Sequence, residues 1–286
     1  MQVGRYAEAF EANAQASLAD EGYMTQCQAQ GIYPLNYYPH NLHFLVWAAS
    51  MQGRSEEALE ASVKVARRVP EDLRGDDWAL YQTFLSMPLY TMLRFGMWQA
   101  ILDQPRPRPG LTYWTGVDHY ARGVAWARLG NSEQAMEELE ALNRVRTSSE
   151  AGQMVVSFSK ADALLSIAAE VLQAEIDLAA GRHDEAISHV DKAVRLEDGM
   201  IYNEPPSWHY PLRHSLGAAL LAAGRPKEAE VVYWQDLAKN RDTGFALFGL
   251  AQAYEALGQP ARADAVRGRF ESAWQAADVE LTSSRY

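Results

Sequence analysis

Residues 208–240 read WHYPLRHSLGAALLAAGRPKEAEVVYWQDLAKN, and residues 245–270 read FALFGLAQAYEALGQPARADAVRGRF. In each stretch an apolar run with helical spacing stops at a glycine, and a second helical run begins directly after it. The same junction recurs along the chain. It stands as Gly4-Arg-Tyr-Ala-Glu-Ala9, Gly53-Arg-Ser-Glu-Glu-Ala58, Gly130-Asn-Ser-Glu-Gln-Ala135, Gly181-Arg-His-Asp-Glu-Ala186, Gly224-Arg-Pro-Lys-Glu-Ala229 and Gly258-Gln-Pro-Ala-Arg-Ala263. A weaker copy starts at Gly96, with Ile101 in place of the alanine. Glycine ends a helix in the left-handed conformation without a Cβ clash. Acidic residues after it suit the positive end of the next helix. The alanine leaves only a methyl group between two helices, so they approach closely.

A second position supports the register. Seven residues before the glycine stand Gly123, Ala174, Gly217 and Ala251, with Val46 and Leu89 as exceptions. A mid-helix glycine costs about 1 kcal/mol relative to alanine, so two of them at one register point to close packing. The glycine spacings run 49, 43, 34 and then 51, 43, 34. This divides the one expected domain, residues 1–286, into blocks 1–110 and 111–286. The first hairpin lacks its first helix, so further N-terminal repeats or a second chain are expected to cover it.

These residues carry a resemblance. A period of 34 is that of the tetratricopeptide repeat, and the two stretches quoted first resemble it nearly throughout. The chain also resembles a bacterial family of long tetratricopeptide proteins, through Tyr37-Tyr-Pro-His-Asn-Leu-His43 and Glu204-Pro-Pro-Ser-Trp208. The resemblance implies an all-α, right-handed superhelical solenoid of six to seven antiparallel helix pairs. It implies a scaffold, here for a protein or peptide partner, and no established activity; no cofactor and no enzyme are expected.

Bulk properties narrow the function classes. Asp plus Glu outnumber Lys plus Arg by 37 to 26, for a net charge of −11. Such a surface repels phosphate backbones, which argues against general nucleic-acid binding. The single cysteine, Cys27, allows no intrachain disulfide. No apolar run is long enough to span a bilayer, and Glu8, Glu11 and Asp20 interrupt any signal-peptide core. As written, the chain reads as cytoplasmic; as a fragment of a longer protein, it reads as periplasmic or secreted.

Periodicity predicts helices over about 5–30, 41–52, 55–69, 77–95, 97–103, 112–129, 132–146, 155–180, 183–196, 208–223, 226–239, 243–257 and 260–278. Loops are expected at 31–40, 147–153 and 197–207. Asn41 is expected as a helix cap, and the tail 281–286 is expected to fray.

The family resemblance implies that residues thirteen, ten and six before each glycine line a concave groove. These include His40, His43 and Trp47; Tyr90; Tyr120; His214; and Phe248. With Tyr38 and Trp208 from the two inserts they form the expected ligand-binding set, aromatic and histidine-rich. Each aromatic also has a plainer reading as core, which is expected outright for Trp126 and Tyr254. A second reading of function uses the histidines for a metal or small ligand, or for a metal-dependent enzyme. His40 and His43 are one turn apart, and His119, His209 and His214 could add ligands, with Glu204 as a further ligand or base. Hydrogen bonding of the insert loop accounts for the same histidines without a metal. His183 and His189 are expected to face solvent. No phosphate-binding glycine loop is present.

Overall fold

The hairpin glycines set the frame. In the computed structural model, which describes residues 1, 3–28, 33–70 and 79–286, all seven adopt positive φ between 67° and 81°. After six of them the next amide closes the same 6→1 bond onto the preceding helix, as in Asn131 N to Trp126 O at 2.8 Å and Gln259 N to Tyr254 O at 2.9 Å. Ala58, Ala135, Ala186, Ala229 and Ala263 are all fully buried, as is Ile101.

The helices pair around these turns. They are α1 (Tyr6–Cys27), α2 (Tyr38–Met51), α3 (Ser55–Arg67), α4 (Ala79–Arg94), α5 (Trp98–Leu102), α6 (Thr112–Arg128) and α7 (Ser132–Arg146). Then follow α8 (Ser149–Gln153), α9 (Ala161–Ala179), α10 (His183–Asp198), α11 (Arg213–Ala222), α12 (Pro226–Lys239), α13 (Gly244–Ala256) and α14 (Pro260–Ala273). Consecutive pairs stack into an all-α solenoid. The mid-helix glycines work as expected. A Cβ on Gly217 would lie 2.3 Å from the Tyr233 ring, and one on Gly123 would lie 2.5 Å from Leu172. Among the described residues no helix is long and apolar enough to cross a membrane.

Several elements depart from the sequence reading. Residues Tyr33–Tyr37 form a π-helical turn that runs directly into α2. The expected loop at 31–40 is therefore helical from 33, with 31–32 outside the described residues. Asn41 lies inside α2 and is no cap; its amide donates to Asp20 at 2.8 Å. Residues 149–153 are a short helix capped by Ser148. Residues 155–160, expected as helix, form a two-residue-turn hairpin, β1 (Val155–Val156) against β2 (Ser159–Lys160). The reason is local: Val155 and Val156 favour extended backbone, and Ser157 and Phe158 take φ of 48° and 67°, the signature of a type I′ turn. Residues 208–212 belong to the preceding loop, and α14 stops at Ala273.

The largest correction concerns the end of the chain. Residues 278–286 are not frayed. Asp278 caps α3, accepting from Ser55 N at 2.7 Å and Glu56 N at 2.9 Å. Ser284 is fully buried, bonded to the Tyr233 hydroxyl at 2.7 Å and donating to His214 O at 2.8 Å. Arg285 pairs with Glu175, and Tyr286 packs near Phe95 and Phe245. The last hairpin thus returns to the first. Trp274 lies against Gly53, and Arg241 lies against Gly4. The chain's own tail occupies the concave interior.

Candidate functional site

The interior is closed where the sequence pattern implied an open groove. His214 is fully buried. Its Nδ1 faces the Arg94 guanidinium at 3.2 Å, and its Nε2 faces Asp236 at 3.0 Å. Arg94 also stacks over Phe245 at 3.4 Å. Trp208 and Tyr120 are buried with ring centroids 5.6 Å apart. Tyr38 is buried between α1 and α2, donating its hydroxyl to Glu21 at 2.6 Å. Phe248 packs on Phe270 within its own hairpin. These five serve as packing or internal network and present no face to an open groove. Ser284 of the tail donates to the His214 carbonyl, and Trp208 belongs to the 208–212 segment before α11.

The histidines separate in the same way. His119 Nδ1 bonds Glu138 at 2.6 Å between α6 and α7. One hairpin on, the roles reverse, and His189 Nδ1 bonds Glu170 at 2.6 Å between α10 and α9. His189, expected in solvent, is half-buried in this bond, and His183 is half-buried as well. Burial alone would raise the pKa of Glu138, but bonds from His119 and Arg106 outweigh it and hold the carboxyl below its ordinary value. Among the described residues no group of three or more His, Cys, Asp or Glu is placed to hold a metal ion. His40, His43, His119 and His209 do not converge as a ligand set.

An accessible recess exists elsewhere, where three inserts meet. The 33–40 turn, the 155–160 hairpin and the 203–205 loop surround a cavity of about 520 Å³. His40 and His43 line it together with Tyr37, Leu80, Phe158 and Glu204. Its rim carries apolar groups in water: Phe158 is 73% exposed, Val155 56% and Tyr37 55%. A phenylalanine with positive φ is costly, so Phe158 is both strained and exposed. His40 is exposed and His43 half-buried. Desolvation and the neighbouring His40 push the His43 pKa down to about 4, so its imidazole is neutral at pH 7.

A second, smaller cavity shares His43 with this recess. This chamber, of about 30 Å³, is lined by His43, Trp47, Tyr90, Arg94 and His209, one turn and two turns further along α2 and α4. Tyr90 bonds the Tyr113 hydroxyl at 2.7 Å, and its ring stacks on His209 at 4.2 Å. Of the residues expected from sequence, His40, His43, Trp47, Tyr90 and His209 are therefore brought to one place. Arg94 and Phe158 were not anticipated. Arg94 had a signal, a lone charge inside the apolar run Leu89-Tyr-Thr-Met-Leu-Arg-Phe95. Phe158 had a weaker one, an aromatic between two serines after a valine pair.

The tetratricopeptide repeat family profile matches residues 119–141 and 211–233, each segment straddling one hairpin glycine. No curated protein matches the sequence. The crystal structure of a tetratricopeptide repeat protein from Parabacteroides merdae is similar, with a TM-score of 0.45 and 14% identity over 93% of this chain and 92% of that one.

Proposed function

We propose that this tetratricopeptide repeat protein is a binding module that takes a peptide segment of a partner protein in the recess between its three inserts. Tetratricopeptide repeats as a class mediate protein–protein interaction. The observation that carries the reading is the ring of exposed apolar groups, Tyr37, Val155 and Phe158, around a cavity of about 520 Å³. Clustered apolar side chains left in water at a concave site mark a binding surface. The concave interior, filled by residues 279–286, is left to hold the solenoid together.

The recess suits an extended segment carrying one or two apolar side chains. Its walls are aromatic, and the neutral His43 at its floor can donate or accept one hydrogen bond. The test is a peptide-library selection on the intact chain, followed by affinity measurements on two variants. In Tyr37→Ser with Phe158→Ser, binding of the selected peptides should be lost while the helical spectrum and melting temperature stay unchanged. In Met136→Ser, an exposed apolar position on α7, binding should persist. Undiminished binding to the double variant would overturn the assignment.

A further inference from the structure

The inner chamber holds a buried cation with an unfilled bonding position. Arg94 is only 5% exposed, yet it forms no ion pair among the described residues. One terminal nitrogen faces His214; its Nε has no hydrogen-bond partner. Glu175, the nearby interior carboxylate, is taken by Arg285 and Arg128. Asp236 is reached only through the His214 ring. Beside Arg94, the His209 ring nitrogens are buried, and the polar group acting on them is the Tyr90 backbone. Orphaned buried polar groups are uncommon, and a buried charge without its counterion is costlier still. Both residues line the small chamber that shares His43 with the outer recess.

We infer that the chamber at Arg94 and His209 receives the side-chain carboxylate of an acidic residue, whose flanking apolar residues lie in the outer recess. The inference rests on the proposed peptide-binding role of that recess. Charge and size select the anion. Burial lowers the pKa of His209 well below its ordinary value, and that of His43 to about 4. The chamber therefore offers one positive charge at neutral pH, on Arg94, and matches a monoanion. A planar carboxylate accepts from Arg94 Nε, with the His209 ring packed beside it. The chamber is small, about 30 Å³, which favours a compact carboxylate head. The body of the ligand must lie outward, past His43, along the 40–43–47 and 80–84–87 faces of α2 and α4. The net charge of −11 works against long-range attraction of an acidic segment. Preference for the anion arises at the chamber alone and is insensitive to moderate salt, because the pair is buried.

The test uses the intact protein with 15N-labelled arginine and follows the Nε–Hε resonances by NMR. The Arg94 signal is assigned through its contacts to the Phe245 ring, with Arg94→Lys as a check where that variant folds. Sodium butyrate is titrated in, with butyramide and sodium phosphate as controls. The expected result is a saturable shift of the Arg94 signal with butyrate alone. No shift, or equal shifts with butyramide, overturns the inference. A peptide arm separates it from the broader reading. For peptides selected on the recess, Glu→Gln at the acidic position should weaken binding at least about thirtyfold, as for loss of a buried charged hydrogen bond. Peptides that bind at the Phe158 rim while butyrate leaves Arg94 unmoved would sink the chamber and spare the recess. A butyrate response without any peptide binding would do the reverse.

Discussion

The hairpin turns and the three inserts solve opposite problems. At the turns one solution repeats: a glycine with positive φ, a 6→1 bond, and a buried alanine five residues on. At the inserts nothing repeats. A π-helical turn, a β-hairpin and an irregular loop come from distant parts of the chain and meet around one cavity. The turns put small residues wherever backbones approach. The hairpin puts a phenylalanine where a glycine would be at ease, and leaves it in water. Repetition with low strain builds the frame; irregularity with strain and exposed apolar surface characterises the recess proposed to bind a partner.

Substitutions sharpen that contrast. The largest loss is expected where the frame is tightest. A Cβ on Gly217 meets the buried Tyr233 ring at 2.3 Å, so Gly217→Ala should cost about 1–3 kcal/mol by overpacking, read by denaturant unfolding. Gly181→Ala is the softer case. Its Cβ meets nothing, but φ is +73°, so only the left-handed backbone penalty of about 1 kcal/mol applies. Equal costs at the two sites would mean that close packing is not what the −7 glycines supply.

A pH titration probes the recess floor. His43 is pushed down to about 4 in the folded chain, against an ordinary value near 6.5. Between those values the unfolded chain takes up a proton that the folded chain refuses. Stability from this group is therefore full above about pH 6.5 and falls as pH drops toward 4. In His43→Gln the melting temperature should fall less steeply across that window. An unchanged slope would show that the imidazole is solvated.

The smallest change in stability should carry the largest change in function. Phe158→Gly relieves a left-handed phenylalanine in a type I′ turn, so stability should hold or rise by up to about 1 kcal/mol. Peptide binding at the rim should nevertheless be lost. Retained binding with raised stability would recast Phe158 as an accident of the turn.

The helix pairs were legible from the sequence because their determinants are local. A glycine that must turn left-handed and an alanine that must fit between helices each act within a few residues, and the junction string states both. Trp47, Tyr90, Tyr120 and His214, which the same register places on one stripe, are all buried. What they face was not legible. Ser284 against Tyr233, Arg285 against Glu175 and Asp278 on the α3 terminus join positions up to hundreds of residues apart, and no periodicity encodes such a pairing. The hairpin at 155–160 was hidden by its neighbours, because two valines before a long helix extend its apolar pattern. The meeting of Tyr37, Phe158 and Glu204 likewise follows from the curvature of the stacked pairs. The sequence by itself determined the turns, the helix pairs and their small-residue contacts, because those depend on backbone conformation and nearest-neighbour sterics. Only the tertiary structure decided that the solenoid closes on itself, that its tail fills the centre, and that Arg94 is buried beside His209, because each is set by accumulated rotation from one pair to the next.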